Sequence, residues 1–293
     1  MTKIIIDLEN IKDINSYLVD GFIINIKNFS TYNGCNFSID NLIEIINLVK
    51  INNKQVFLNI DRLFSEDDLD QLYELFKVID NIEYDYLIFS DFSVYYYFNK
   101  KNMLNKLIYD AKTMGTNIDD INFFKDRNVM VFVANELSKE QIKILSETNN
   151  TCMEVFGYHQ IFYSKRPILS LFNEFENLNI SLKNTLLEIK EISRDSYYKI
   201  YESDLGTFVY TDYIYCAYDD IKVFVNNFKY IKINPIFLNN KNMMEIISYY
   251  RDLIKNKNIT ENELLIKKSF PNVKSGFLIK KSVLLKEDTH EEN

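Results

Sequence analysis

The first 160 residues alternate short apolar runs with longer amphipathic segments. Apolar spacing such as that of Leu42, Ile45, Ile46 and Val49 is typical of a helix with one buried face. The apolar runs predict strands at residues 3–7, 22–26, 55–60, 84–90, 107–110, 129–133 and 152–156. The intervening segments predict helices at residues 9–18, from 38–40 onward, 65–80, 94–99, 117–125 and 138–147.

Seven strands separated by helices indicate parallel pairing through right-handed crossovers. The run 86–89 is continuously apolar, as expected when helices cover one face of a strand and packed side chains fill the other. A glycine-rich phosphate-binding loop does not follow the first strand, so a barrel fits better than an open doubly wound sheet. We therefore predict an α/β fold, a TIM-type (β/α) barrel.

The alternation breaks after residue 156. Residues 177–194 are polar with helical character, and Ser203-Asp204-Leu205-Gly206 predicts a hairpin turn. Residues 219–227, 230–234 and 239–255 then predict a helix, a strand and a helix. We predict one barrel domain over 1–288, with a helical and hairpin excursion at 176–212 after the seventh strand, and an acidic tail at 289–293.

Composition and charge restrict the class of protein. With 47% apolar and 26% charged residues among 293, the chain has the balance of a soluble globular protein. Apolar runs of about 18 residues are missing, so we expect no membrane span. The first apolar stretch, residues 1–7, ends in the acidic Asp7 and is too short to be a signal peptide. We therefore expect a cytoplasmic protein. A net charge of −8 argues against general nucleic-acid coating but leaves room for a local groove that admits one folded RNA element.

Residues at the carboxyl ends of barrel strands are the candidates for chemistry. They are Asn59, Asp61, Ser90, Asp91, Asn135, Glu136, His159 and Asn234. Asp61, Asp91 and Glu136 have the chemistry of an acid, base or ligand; alternatively, Asp91 and Glu136 cap the helices that follow. His159 is either functional or a satisfied buried histidine.

A second candidate site follows His159. Lys165 and Arg166, beside Tyr163 and Ser164, are suited to hold a phosphate or to stack on a base. A solvated loop with an internal ion pair explains the same residues equally well.

Familiar catalytic and metal-binding motifs are not found. The three cysteines, Cys35, Cys152 and Cys216, are scattered, and CxxC, HxxxH, HExxH and GxSxG do not occur. We therefore predict no metal site. A serine nucleophile would need an oriented histidine, for which only His159 is suitable, so a self-contained protease is disfavoured.

Residues 154–170, EVFGYHQIFYSKRPILS, resemble the signature region of peptidase family U32, the collagenase-like proteins. Further segments resemble family elements in the same order along the chain. They are DGFII (20–24), VFLN (56–59), DYLIFSD (85–91), TN (116–117), ELS (136–138), ESDLGT (202–207) and SGFL (275–278).

The resemblance implies an incomplete or modified TIM-type barrel. Members are named peptidases, several resemble RNA- or quinone-hydroxylation factors with a four-iron, four-sulfur cluster, and others act in forming 5-hydroxyuridine at the wobble position of tRNA. Short members often work beside a longer paralogue.

Departures from the family pattern concern the cluster and the last strand. Two family cysteines fall on Gln160 and Pro167, and Cys216 lies in a segment similar to the family's KDLC. Four thiolates hold such a cluster, so we predict that the iron–sulfur cofactor is absent. The strand KINPI (232–236) lacks the acid and the arginine of the family's KIEGR.

Three functions remain open. The first is a cluster-free member that supports tRNA wobble-uridine hydroxylation by binding tRNA or a longer U32 paralogue. Here Lys165 or Arg166 pairs with phosphate, and Tyr163 and Ser164 complete the substrate contact. His159 donates to a carboxylate or a base edge, and Glu136 and Glu202 orient His159, Lys165 and Arg166. The second is a peptidase, and the third is a non-catalytic partner of the cluster-bearing paralogue.

Overall fold

Short apolar strands and amphipathic helices alternate in the computed structural model, which describes residues 1–190, 192 and 196–279. In chain order the strands are β1 (Lys3–Asp7), β2 (Gly21–Asn25), β3 (Gln55–Ile60), β4 (Tyr86–Phe89), β5 (Leu107–Tyr109), β6 (Met130–Phe132), β7 (Thr151–Gly157), β8 (Gln160–Ser164), β9 (Leu187–Lys190), β10 (Tyr197–Ser203), β11 (Gly206–Tyr210), β12 (Ile214–Cys216), β13 (Tyr230–Ile233) and β14 (Val273–Lys274). The helices are α1 (Asp13–Ser16), α2 (Ile39–Ile51), α3 (Leu69–Ile79), α4 (Phe92–Lys100), α5 (Ile118–Lys125), α6 (Lys139–Ser146), α7 (Ile168–Phe175), α8 (Asn240–Ile254) and α9 (Ile259–Ser269).

Eight of the described strands, β1–β7 and β13, form a closed parallel barrel. Strand β13 pairs with β1 on one side, with Lys3 opposite Tyr230, and with β7 on the other, with Glu154 opposite Lys232. The predicted TIM-type barrel is confirmed. It is closed, and its modification is the segment between β7 and β13.

The barrel interior has an apolar layer below a polar one. Because side chains alternate along a strand, the residue two positions after an inward apolar side chain also points inward. Ile5 lies in the interior cluster and is followed by Asp7, and Tyr230 is followed by Lys232. The same step leads from Ile23 to Asn25, from Phe57 to Asn59, from Ile108 to Asp110 and from Cys152 to Glu154. The polar layer therefore lies at the carboxyl ends of the strands.

The helices cover the outside of the barrel with the faces that their spacing predicts. In α2, Leu42, Ile45, Ile46 and Val49 are all buried. A capping box precedes helix α6, in which Ser138 and Gln141 satisfy each other's backbone N–H groups. None of the helices in the described residues combines the length and hydrophobicity needed to cross a bilayer.

An accessory sheet follows β7, with the strand order β8-β11-β10-β9. Its β10–β11 hairpin confirms the turn predicted at residues 203–206. Gly206 has φ of +126°, and a Cβ there would collide with the carbonyl oxygen of Ser164, so the turn requires glycine. Helix α7 packs beside this sheet.

The helix predicted over residues 177–194 is wrong. Helix α7 ends at Phe175, and Leu187–Lys190 pairs with β10 as an edge strand. Asn177, Asn179 and Asn184 adopt left-handed backbone conformations that interrupt a helix, and strand pairing outweighs the local helical pattern. Residues 191 and 193–195 of that prediction, and the acidic tail 289–293, lie outside the described residues.

One other predicted helix is shorter than expected, and another is wrong. Between residues 9 and 18 only α1 is helical, and Ile11 and Leu18 are exposed rather than buried. Residues 219–227 form turns that end in a single 3-10 turn at Val225–Asn227. The short helix α1 suffices to bury Ile14, and turns suffice to bury Ile221. The helix predicted at 239–255 is confirmed as α8.

Candidate functional site

A lysine between two carboxylates occupies the centre of the polar layer. Nζ of Lys232 lies 3.1 Å from Oδ2 of Asp7 and 3.3 Å from Oε2 of Glu154. The other oxygen of Glu154 accepts a hydrogen bond from the amide of Asn234 at 3.2 Å and lies 3.6 Å from Nε2 of His159. All five side chains are buried, so their charges are held in fixed positions. We call this end of the barrel, at the carboxyl ends of the strands, the mouth.

Electrostatics keeps Lys232 and Glu154 ionised despite their burial. Burial opposes the charge on Lys232, but Asp7, Glu154 and Asp110 raise its pKa well above the ordinary value. Burial also opposes ionisation of Glu154, yet the charges of Lys232 and Lys112 lower its pKa below the usual range. For Asp7 burial outweighs the attraction of Lys232, and its pKa is raised.

Amide and hydroxyl groups fix the orientation of Asp7. The side-chain amide of Asn25 donates to Oδ1 of Asp7 at 3.0 Å, and the amide of Asn59 donates to the side-chain oxygen Oδ1 of Asn25 at 2.7 Å. The hydroxyl of Ser30 donates to the same oxygen at 3.0 Å. This chain connects β1, β2 and β3 across the mouth and holds Asp7 in place for Lys232.

A second lysine lies at the exit of β5. Nζ of Lys112 is 2.5 Å from Oδ2 of Asp110 and 3.7 Å from Oδ2 of Asp61. Asp61 also accepts a hydrogen bond from the backbone N–H of Thr31 at 2.7 Å. Burial opposes the charge on Lys112, but Asp110 raises its pKa. The lysine therefore stays charged at the rim of the mouth.

The backbone of Lys112 is strained. Its φ is +62°, a left-handed conformation that non-glycine residues other than asparagine rarely adopt. Ten of the twelve non-glycine residues with positive φ in the described parts of the chain are asparagines; the exceptions are Lys112 and Phe237. Such strain clusters at functional sites, which supports a role for Lys112 in binding.

His159 lies at the mouth, as expected of a residue just beyond β7. It is 4% exposed, and its ring packs on Tyr215 at 4.0 Å between centroids. Burial lowers the pKa of His159 to about 4, so the imidazole is neutral at pH 7. Gly157, with φ of +129°, permits the turn before it, because a Cβ there would collide with the carbonyl oxygen of Asn234.

The two acids predicted to orient His159 lie in different places. Glu136 is exposed and lines the same small cavity as His159. Glu202 is fully buried in the accessory sheet. It accepts hydrogen bonds from the N–H groups of Leu169 at 2.7 Å and Ser170 at 3.1 Å, and from the hydroxyl of Thr207 at 2.8 Å. Glu202 thus anchors the first turn of α7.

Among the strand-end acids, Asp91 caps α4 by accepting from the N–H of Ser93 at 2.8 Å, as the capping alternative predicts. Glu136 is not a cap, because the N-cap residue of α6 is Ser138. Asp91 also lines a groove that opens at the mouth.

The predicted substrate residues 163–166 follow one another along β8 and the loop after it. Tyr163 stacks on Phe208 and donates to the carbonyl oxygen of Leu205 at 3.0 Å. Ser164 accepts a hydrogen bond from the backbone N–H of Arg166. Lys165 forms an ion pair with Asp68 at 3.0 Å, whereas the side chain of Arg166 is exposed. Only Tyr163 of the four lines the groove at the barrel mouth.

Cavities of very different size open at the mouth. A cavity of about 30 Å³ lies above Lys232 and Glu154, with room for little more than a water molecule. A groove of about 730 Å³ runs from the mouth along β8, between Phe92 and Phe162. The charged centre is therefore nearly closed, and the space for a ligand lies beside it.

Sequence reasoning missed most of the polar layer. Asp7, Asn25, Asp110, Lys112, Glu154 and Lys232 were not among the predicted site residues. A usable signal was present: Asp7 and Lys232 each stand two positions after an apolar residue near the end of a predicted strand. Position at a strand end alone does not distinguish these residues, because only alternate side chains point into the barrel.

The cysteines do not fit an iron–sulfur cluster. Cys152 lies inside the barrel, where burial raises its thiol pKa. Burial also raises the pKa of Cys216 to about 11, and its thiol lies 3.9 Å from the hydroxyl of Tyr250. Cys35 lies beside Glu9. Three separate thiols cannot supply the four thiolates of such a cluster, and the described residues hold no group of His, Cys, Asp and Glu arranged for a metal.

Fold and site together define a closed (β/α) barrel protein with a charged polar layer at the carboxyl ends of its strands. The chain belongs to peptidase family U32, whose family model matches residues 6–282. It is similar to tRNA hydroxylation protein P2 of Bacillus subtilis (strain 168), with 21% identity over 226 residues, 74% of this chain and 73% of that protein. The solved structure of the U32 peptidase Mk0906 covers 80% of this chain and 92% of its own, at 12% identity and a TM-score of 0.47.

Proposed function

We propose that this protein supports the hydroxylation of a tRNA wobble uridine by binding the tRNA or a longer, cluster-bearing U32 paralogue. The observation that carries the proposal is its similarity, over about three quarters of both chains, to a protein named for tRNA hydroxylation. Three scattered cysteines leave the redox chemistry to another protein. A cytoplasmic location, where tRNA is found, belongs to the same proposal.

The electrostatics of the mouth supports local rather than extended RNA contact. Lys232 and Lys112 are each neutralised by buried carboxylates, and the net charge of the chain is −8. Extended binding of phosphates would require uncompensated cations. A groove beside the mouth suits one unpaired element of a folded RNA.

A peptidase is the second candidate. Nε2 of His159 lies 3.6 Å from Oε1 of Glu154, which brings a base and a carboxylate close together without the hydrogen bond that orients the imidazole in a catalytic triad. Incubation of the purified protein with a peptide library tests this candidate. Cleavage that His159→Ala abolishes would favour it over the hydroxylation role.

Deletion of the gene, followed by mass spectrometry of tRNA nucleosides, tests the first proposal. We expect 5-hydroxyuridine to fall and to return with a plasmid copy. Unchanged hydroxylation rejects the proposal.

Co-purification with a paralogue then separates the two modes of support. If the protein co-purifies with the paralogue and the double variant Lys165→Met/Arg166→Met remains active in cells, the support comes through paralogue binding. Loss of tRNA binding and activity in the same variant indicates an RNA contact.

A further inference from the structure

The groove beside the mouth has apolar walls and a polar end. Phe92 and Phe162 line it and are 54% and 46% exposed, so each presents an aromatic surface to solvent. Phe92 also packs edge-on against Tyr109, with ring centroids 6.1 Å apart, which fixes its position. A volume of about 730 Å³ is within the range of about 300–1,000 Å³ typical of small-molecule sites.

Two side chains stand where the groove meets the mouth. Lys112 and Gln160 line the groove and both of the smaller cavities next to it. Within the described residues, the side-chain amide of Gln160 has no hydrogen-bond partner, although the residue is half-buried. Its backbone is fixed by pairing of β8 with Tyr210 of β11. A fixed amide with free donor and acceptor capacity is suited to read a ligand.

Charge restricts the ligand. Asp61 and Asp91 line the same groove, so a phosphate would meet repulsion there. An uncharged flat ring does not meet that repulsion and stacks on exposed aromatic faces. Arg166 follows β8 by two positions, its side chain is exposed, and it has no ion pair within the described residues. It is suited to bind the phosphate of the same nucleotide outside the groove.

We propose that the groove binds a single unstacked uracil base of an RNA, with Phe92 and Phe162 as stacking surfaces and Gln160 as the residue that reads the base edge. The amide oxygen of Gln160 accepts from N3–H of uracil, and its NH₂ group donates to the adjacent carbonyl oxygen. Lys112, where the groove meets the mouth, donates to a carbonyl oxygen of the base. This inference rests on the proposed function and names the part of the tRNA that enters the protein.

Photo-crosslinking locates the base. The probe is an anticodon stem–loop with 4-thiouridine at the wobble position, irradiated with the full-length protein and mapped by mass spectrometry after digestion. We expect adducts on peptides that contain Phe92 or residues 160–163. Adducts confined to other surfaces, or no adduct at all, overturn the assignment.

Affinity for the same stem–loop tests Gln160. Gln160→Met keeps the length of the side chain but removes both hydrogen bonds, and we expect binding about tenfold weaker. Gln71→Met, on the exposed face of α3, is the matched control and should bind like the wild type. Thermal melting confirms that both variants fold, and equal affinity of Gln160→Met overturns the inference.

Salt dependence separates base contact from phosphate contact. We expect Gln160→Met to leave the slope of log affinity against log salt unchanged. Arg166→Met should reduce that slope by about one, because a phosphate contact releases a counterion. A changed slope for Gln160→Met would mean that Gln160 does not read a base.

Cellular complementation distinguishes this inference from the proposed function. If deletion removes 5-hydroxyuridine and Gln160→Met restores it fully, the base assignment fails while the proposed function stands. If deletion changes nothing, the proposed function fails, and crosslinking alone decides whether the groove binds a base. If the wild-type protein hydrolyses a peptide library and Gln160→Met does so more slowly, the groove is instead a peptide site.

Discussion

Lys232 and Glu154 face each other across the seam where the last barrel strand meets the seventh. They are register partners of β13 and β7, and Nζ of Lys232 lies 3.3 Å from Oε2 of Glu154. A shift of β13 by one residue would turn Lys232 out of the barrel and leave Glu154 unpaired. The ion pair therefore favours one register for barrel closure.

Removal of the Lys232 charge should destabilise the protein strongly. Lys232→Met leaves Asp7 and Glu154 as buried carboxylates without their cation, and we expect a loss of about 3–5 kcal/mol in the free energy of unfolding. Urea denaturation followed by circular dichroism measures it.

Lys229→Met is the matched control for Lys232→Met, because Lys229 is exposed just before β13. Its effect should stay within about 0.5 kcal/mol. Adding Asp7→Asn and Glu154→Gln to Lys232→Met should recover part of the loss. Wild-type stability of Lys232→Met alone would contradict the role given to this centre.

Acid should weaken the fold through His159. Burial lowers its folded-state pKa to about 4 from the ordinary 6.5, so between these values the unfolded chain binds more protons than the folded one. Stability is then fully present above pH 6.5 and falls as the pH drops toward 4, by about 3 kcal/mol. Urea titrations at several pH values should show a steeper decline for the wild type than for His159→Gln, and parallel curves would refute the burial effect.

Loss of Glu202 should loosen α7 while leaving the barrel intact. Its carboxylate accepts from the N–H groups of Leu169 and Ser170, which lack partners within the helix. We expect Glu202→Ala to cost about 2 kcal/mol locally. Hydrogen exchange should rise in α7 peptides and stay unchanged in β1–β3. Glu188→Ala, at an exposed carboxylate in β9, should leave both regions protected, and a uniform rise in Glu202→Ala would argue against a local anchor.

Anaerobic reconstitution with iron and sulfide should fail to build a four-iron cluster. Cys35, Cys152 and Cys216 lie in a loop, inside the barrel and in β12, and four thiolates are required. Iron and acid-labile sulfide analysis measures the result. Four irons and four sulfides per chain would show that the protein holds the cofactor by another arrangement.

Local patterns were sufficient to predict much of the barrel. Strand β1 was predicted with its observed bounds, and the apolar face of α2 was identified by spacing alone. Both features depend on the chain near them: a short continuous run of apolar residues in the strand and a 3.6-residue period in the helix.

Features that depend on distant residues were not predictable in the same way. Edge strand β9 is mostly exposed and has no apolar run, and only its pairing with β10 makes it a strand. The pairing of Asp7 with Lys232 joins the two ends of the barrel sequence, so neither residue reveals the other locally. Glu202 is predicted as an orienting acid of the candidate site, but its observed contacts anchor α7, and no motif encodes those contacts.

The order of strands has a consequence for synthesis on the ribosome. Residues 158–229 separate β7 from β13, and the last barrel strand is what joins β7 to β1. Until residue 233 has been translated, a growing chain carries two unpaired strand edges and the uncompensated acids Asp7 and Glu154. The barrel therefore cannot close on the ribosome before β13 is available, and closure comes late in synthesis.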